Sequence, residues 1–176
     1  MIETERLILR AWRDEDGPEF VLRINTPAVM AYLGGVDDPA RLMTSVARQQ
    51  AMQAEHGHCF WIVERKADGA LLGFCGLKVG NVGSIEGEIE IGWRLREDAW
   101  GQGYAKEAAQ GSLAWGWAHL DAPRIVAITV PGNRSSWGLM ERLGMQRRSE
   151  MDFGHPLFAN DHQLHRHIVY VIDRPW

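Results

Sequence analysis

Between residues 89 and 120 the chain commits itself to one local arrangement: a strand, a tight glycine turn and a helix. Ile89-Glu90-Ile91-Gly92-Trp93-Arg94-Leu95 reads as an apolar strand. Arg96-Glu97-Asp98 stops it, Trp100-Gly101-Gln102-Gly103-Tyr104-Ala105 turns the chain, and good helix formers run on to Leu120. The first turn of a helix carries N–H groups without intrahelical partners, and the helix dipole adds partial positive charge there. Glycines let backbone approach an anion that a Cβ would hold off, so this turn suits a phosphate or pyrophosphate. The plainer alternative is a packed strand–helix corner. No Gly-x-x-x-x-Gly-Lys-Ser/Thr run exists, and Lys106 stands where a dinucleotide fingerprint needs a third glycine. A different phosphate ligand is required.

The flanking chain has a regular order. Arg6 to Trp12 reads as the first strand. Asp14 and Asp16 offer caps for a helix with Phe20, Val21 and Ile24 on one face and Pro27 as its stop. Residues 28–38 read as a loop or broken helix. Asp38-Pro39 opens a second helix, with Leu42, Met43, Val46, Ala47 and Ala51 at helical spacing and Gly57 at its end. Strands at 58–65 and 71–79 flank Ala67-Asp68-Gly69, a hairpin signal.

The central strand is read from Ser84, with Glu86, Glu88, Glu90 and Gly92 sharing one face. On the helix after the turn, Ala105, Ala109, Leu113, Trp117 and Leu120 form the expected buried stripe. A strand at 124–130 leads to a short helix capped by Asn133, with Trp137, Met140 and Leu143 facing inward and Gly144 closing it. Residues 145–153 and 164–172 read as a final antiparallel pair. The order β-α-α-β-β-β-α-β-α-β-β predicts one α/β (α+β) domain spanning residues 1–176, built on one sheet.

Composition excludes more than it identifies. Hydrophobic residues at 45% and charged residues at 24% describe a globular chain, and a net charge of −4 favours neither nucleic acid nor an anionic membrane. No stretch approaches the roughly 18 apolar residues of a membrane span. Met1-Ile-Glu-Thr-Glu-Arg lacks signal-peptide form, and Cys59 and Cys75 sit in apolar runs without metal-ligand spacing. Buried reduced thiols in a cytoplasmic protein fit these two better than a disulfide.

The strand, Trp-Gly-Gln-Gly-Tyr-Ala and the following helix resemble the acyl-CoA signature of the GCN5-related N-acetyltransferase (GNAT) superfamily. Ile91-Gly92-Trp93-Arg94-Leu95 and the turn are similar to the branch of ribosomal-protein N-terminal acetyltransferases. The superfamily pattern Gln/Arg-x-x-Gly-x-Gly/Ala falls on Trp100, Gly103 and Ala105, with Trp100 departing from Gln/Arg. The resemblance covers the whole element order. It implies a single GNAT domain: a central mixed, mostly antiparallel twisted sheet flanked by helices. It also implies acetyl-CoA as co-substrate, its pyrophosphate held by the amides of Gly101, Gln102, Gly103, Tyr104, Ala105 and Lys106. Trp93, Leu95, Arg96 and Trp100 complete that side, the pantetheine arm pairing as a further strand beside Trp93.

Acyl transfer from a thioester to a primary amine needs a base for the amine, a donor for the oxyanion and a proton or hydrogen bond for the thiolate. Glu90 and Glu88 are the candidate bases; Glu86 reads as a solvated acid. Asn133-x-x-Ser136, followed by Leu143-Gly144-Met145, resembles the second CoA-contacting segment. By that likeness Asn133 holds the pantetheine and Ser136 serves the leaving thiolate. Met140 stands where many relatives place a tyrosine acid, which keeps open a rival reading, a non-catalytic acyl-CoA-binding regulatory module. The acceptor expected is a protein N-terminal α-amine or a small amine, recognised by residues 26–38 and 153–163. Of the tryptophans, Trp12, Trp61 and Trp137 are candidates to wall its cavity. His155, His162, His165 and His167 lack acidic or cysteine partners, so no metal site is expected. Monomer and homodimer both remain open.

Overall fold

The computed structural model describes residues 1–175. Two short strands, β1 (Ile2–Glu3) and β2 (Leu7–Arg10), precede three helices, α1 (Asp16–Ile24), α2 (Pro27–Met30) and α3 (Pro39–His56). Next come β3 (Phe60–Arg65), β4 (Leu71–Val79), β5 (Ile89–Leu95), α4 (Tyr104–His119), β6 (Arg124–Thr129) and α5 (Arg134–Arg142). The chain finishes with β7 (Gln146–Arg147), β8 (Phe153–Gly154) and β9 (Arg166–Asp173). They form one sheet in the order β1-β2-β3-β4-β5-β6-β9-β7, with β8 paired to β9 off that path. All neighbours are antiparallel except β5 and β6. This is the mixed, mostly antiparallel sheet that the resemblance implies.

The helices cover the two faces from different considerations. Helix α4 lies close on its face because Gly116 lacks a Cβ; one placed there would stand 2.5 Å from Leu77 and 3.2 Å from Ile125. Its buried side is Tyr104, Ala108, Ala109, Ser112, Leu113 and Gly116, one step round from the expected stripe, with Trp117 only partly buried. Small residues on that side let the helix approach the sheet. Ile91 at 1% and Leu77 at 0% exposure anchor the strands beneath, where truncation to alanine costs about 2–5 kcal/mol.

Helices α1 and α3 cover the other face. Phe20 packs edge-on to Trp12 at 5.0 Å and stacks on Phe74 at 5.6 Å. The inward stripe of α3 is narrower than periodicity predicts: Leu42 and Val46 are buried, while Met43, Ala47 and Ala51 are exposed. Two glutamines continue that side as hydrogen-bond acceptors. Gln49 receives the Phe60 amide at 2.9 Å and Gln53 the Trp61 indole at 2.8 Å.

Several expected boundaries move for identifiable reasons. Asp16 does not cap α1; Arg10 holds its carboxylate with two bonds of 2.7 and 2.8 Å, and it also accepts the Arg13 amide. Pro27 opens α2, capped by the Thr26 hydroxyl, rather than simply ending α1. The strand expected from Ser84 begins at Ile89, because residues 83–85 form a 3₁₀ turn and Gly87 takes φ +82°. The strand expected over 145–153 is split into β7 and β8 by a 3₁₀ turn at Ser149–Met151, and both pieces pair with β9.

Candidate active site

The glycine turn takes the form an anion site needs. Gly101 and Gly103 have φ of +72° and +82°, the left-handed region that side chains disfavour. A Cβ at Gly101 would project into open space, so no neighbouring atom occupies the approach. No side chain caps α4, and among the described residues the amides of Gly101 through Lys106 meet no protein acceptor. Lys106 is exposed beside them. The turn is braced from outside its own sequence. Arg6 donates to the Gln102 carbonyl at 3.0 Å and to Glu107 at 2.7 Å, and its guanidinium lies 4.6 Å from the Tyr104 ring centroid. The Gln102 side chain reaches back to the Asp98 carbonyl at 2.8 Å.

Strands β5 and β6 pair at only two positions, Ile89 with Ile125 and Glu90 with Val126. Beyond them β5 runs on to Leu95 without β6 beside it, leaving a slot edged by Ile91 to Leu95 that opens toward the turn. Trp93 and Leu95 lie along the slot. The Leu95 carbonyl accepts the Trp100 indole N–H at 2.8 Å, which holds that half-exposed ring at the slot's end. Arg96 is committed to Asp98 through bonds of 2.5 and 2.6 Å, so its guanidinium is already engaged.

Glu90 sits at the closed end of the slot, 7% exposed. Its Oε2 lies 2.7 Å from the Lys78 ammonium across the β4–β5 pair, an ion pair without aligned hydrogen-bond geometry. Burial pushes the Glu90 carboxyl above its usual range, and Lys78 pulls it back only part of the way. Glu88 stands in a different setting. Arg124, the first residue of β6, holds it by two bonds of 2.5 and 3.1 Å and keeps its carboxyl below the usual range. That pair clamps the strands where they meet, so the two carboxylates expected to share one role are separated by their surroundings.

Asn133 caps α5, its side-chain oxygen accepting the Ser136 amide at 3.3 Å. The Ser136 hydroxyl is partly exposed and has no protein partner among the described residues. Met140 is 1% exposed within the main core, so its position is turned away from solvent.

On the face of α1 and α3 lies a cavity of about 330 Å³. Its floor is Phe60 and Phe74, stacked at 5.1 Å, with Trp12 and Phe20 behind them. Tyr32 and Leu33 come from one side loop, and His155, Leu157 and Phe158 from the other. These loops are the segments expected to recognise the acceptor. Of the three candidate tryptophans only Trp12 lines the cavity; Trp61 packs against Trp115 at 4.9 Å, and Trp137 donates to the Pro131 carbonyl. His155 and His167, 4.7 Å apart, are held neutral first by burial, their imidazoles pushed below the usual range. Both cysteines are free and buried, burial pushing each thiol up to about 12.

The family model described as acetyltransferase (GNAT) domain matches residues 6–146. The chain belongs to the GNAT acetyltransferase family. It is 34% identical over 143 residues to the uncharacterized protein YkkB of Bacillus subtilis (strain 168), covering 81% of this chain and 83% of that one. An acetyltransferase from Agrobacterium tumefaciens str. C58 superposes with a TM-score of 0.79 at 27% identity, over 97% of this chain and 92% of that one. At 17% identity, where the likeness concerns the fold alone, a spermidine N-acetyltransferase from Vibrio cholerae, solved with CoA and spermine, gives 0.73 over 96% of each chain. GNAT membership makes this an acyltransferase; GNAT acetyltransferases use acetyl-CoA, and the uncapped α4 turn and the slot beside β5 are features that such a co-substrate fits.

Three residues of this GNAT site lie outside the sequence reading. Arg6 braces a turn almost a hundred positions away, and no local pattern announces it. Lys78 meets Glu90 through the β4–β5 register, which a hairpin signal alone does not fix. Arg94 stands in the strand motif that carries the family likeness, yet that motif gives it no role at the acceptor cavity, which it lines.

Proposed function

We propose that this chain, as one GNAT domain, transfers an acetyl group from acetyl-CoA directly to a primary amine, with Glu90 as base. One observation carries the reading: the slot beside β5 ends at a buried carboxylate whose affinity for protons is raised, while its other end opens on unpartnered helix amides. In this scheme the amides of Gly101 to Lys106 hold the pyrophosphate, with Lys106 adding charge and Trp100 packing alongside. Trp93 and Leu95 supply the strand edge on which the pantetheine lies. The engaged guanidinium of Arg96 shapes the corner rather than contacting phosphate.

Acetyl-CoA supplies an activated thioester carbonyl. Glu90 takes one proton from the acceptor ammonium, directly or through water, and the freed nitrogen attacks the carbonyl carbon. In this scheme an amide of the unpaired β5 edge receives the oxyanion. The C–S bond then breaks, and the second nitrogen proton reaches the thiolate through the Ser136 hydroxyl, while Asn133 orders that helix start. Glu88, ion-paired to Arg124, is assigned the strand clamp. The finer assignment, a ribosomal-protein N-terminal α-amine as acceptor, draws its support from the strand and turn likeness alone.

Met140 favours a second reading, a regulatory module that binds acyl-CoA without turnover, because no tyrosine acid can act from that buried position. Titration calorimetry with acetyl-CoA combined with thiol release on an amine panel decides between them. Binding with release in wild type, and binding without release in Glu90→Gln, supports the enzyme. Binding without release for every amine supports the module, and absence of binding sinks both.

A further inference from the structure

Arginines withdrawn from solvent in this fold are paired, with one exception. Arg6, Arg10, Arg65, Arg96, Arg124, Arg147 and Arg148 each meet a carboxylate, and Arg174 meets three backbone carbonyls. Among the described residues, Arg94 is the sole withdrawn arginine whose guanidinium touches no protein oxygen. Its one polar contact is the Met30 sulfur at 3.8 Å, a weak acceptor. Its guanidinium lies 5.3 Å from the Phe74 ring centroid. Burial lowers it to about 10, with no carboxylate contributing, so it remains a cation at neutral pH.

Its position makes the omission informative. Arg94 faces the cavity side of β5, two residues beyond Gly92 and four beyond Glu90, and it lines the cavity itself. The other lining groups leave its charge unanswered. His155 and His167 are held neutral, and Asp37, the one carboxylate in the lining, faces Arg41 at 3.4 Å. A half-buried guanidinium that meets no protein oxygen is free to take an oxygen ligand from the cavity. Its planar donors suit a carboxylate held by two bonds, and stacking near Phe74 fixes the plane in which they point.

Resting on the acetyl-transfer reading, we propose that the acceptor is a small primary amine that also carries a carboxylate, bound by Arg94, with an apolar or aromatic body against Phe60, Phe74 and Phe158. A cavity of about 330 Å³ takes a molecule of amino-acid to dipeptide size. A polyamine is disfavoured, since it would bring further cations against an unneutralised one.

The test begins without acetyl-CoA, by ligand-observed NMR with 3-phenylpropionate and its neutral amide, 3-phenylpropanamide. Wild type should bind the acid about ten- to a hundred-fold more tightly, the range of a hydrogen bond to a charged group. Arg94→Met should lose that preference and Arg94→Lys keep part of it. Equal binding of acid and amide by wild type overturns the proposal, and this arm needs no variant to fold. A preference that survives in Arg94→Met overturns it too. Turnover is then read as thiol release with Gly-Phe, Gly-Phe amide and spermidine, the acid being the expected substrate. Faster release with the amide or with spermidine counts against the carboxylate subsite. A protein that prefers the acid in binding but acetylates no amine refutes the transfer reading and leaves the subsite standing.

Discussion

The proposed cofactor end and the proposed acceptor end of this protein are built from different materials. At the proposed cofactor end the groups assigned to the ligand are mainly backbone: amides of Gly101 to Lys106 and the bare edge of β5 from Ile91 to Leu95. Side chains there serve as braces, as Arg6 and Gln102 do. At the proposed acceptor end every group assigned is a side chain, brought from the β2–α1 turn, helices α1 to α3, strands β3 to β5 and β9, and two loops. Backbone sites tolerate side-chain change but not conformational change. Side-chain sites behave the opposite way.

The largest expected effect is at the junction. Glu90→Gln should lower kcat about 10²- to 10⁴-fold while acetyl-CoA affinity by calorimetry stays within about two-fold. Equal loss of both would mean that Glu90 belongs to the two ends and would break the division. Next is Gly103→Ala. At φ +82° an L-residue costs about 1–2 kcal/mol, so acetyl-CoA affinity should fall about five- to thirty-fold while the amine KM is unmoved.

Lys78→Met should act through pH. Glu90 must be ionised to take a proton, so activity falls as pH drops through its raised pKa. Removing the Lys78 cation makes the carboxylate harder to ionise, and the acid limb of kcat/KM should move to higher pH. An unmoved or downward-shifted limb would show that Lys78 does not govern the base. The smallest effect belongs to Lys106→Ala, about two-fold in acetyl-CoA affinity at low salt and less at high salt. A much larger loss would show side-chain charge doing what is here ascribed to amides.

The same division explains what could be read from the sequence. A left-handed turn before a helix demands glycine, so Gly101 and Gly103 announce that turn, the proposed cofactor end, in one short string. The cavity has no such string, because its residues meet only through sheet register and helix packing. Glu86, Glu88 and Glu90 look alike at period two, yet Gly87 at φ +82° interrupts the pattern and leaves Glu90 alone on the strand. That glycine was the available signal. The stripe on α3 misled in the other direction: Gln49 and Gln53 face inward because Phe60 and Trp61 need acceptors, a demand that hydrophobic spacing cannot express.

The brief pairing of β5 with β6 has a consequence for the cohesion of the molecule. Two residue pairs form the seam between β1–β5 and β6–β9. Near its closed end stand the Glu88–Arg124 clamp and Arg174, which ties the last strand to the carbonyls of Trp117, Leu120 and Ala122. Among the described residues the far end has no equivalent side-chain fastening. A ligand lying in the slot as a strand would lengthen the seam, and at a hundred-fold excess over its Kd it would add about 2.7 kcal/mol of stability. Amide exchange and proteolytic nicking should therefore slow as the co-substrate pool fills, first along Ile91 to Leu95, making the lifetime of the folded enzyme a readout of that pool.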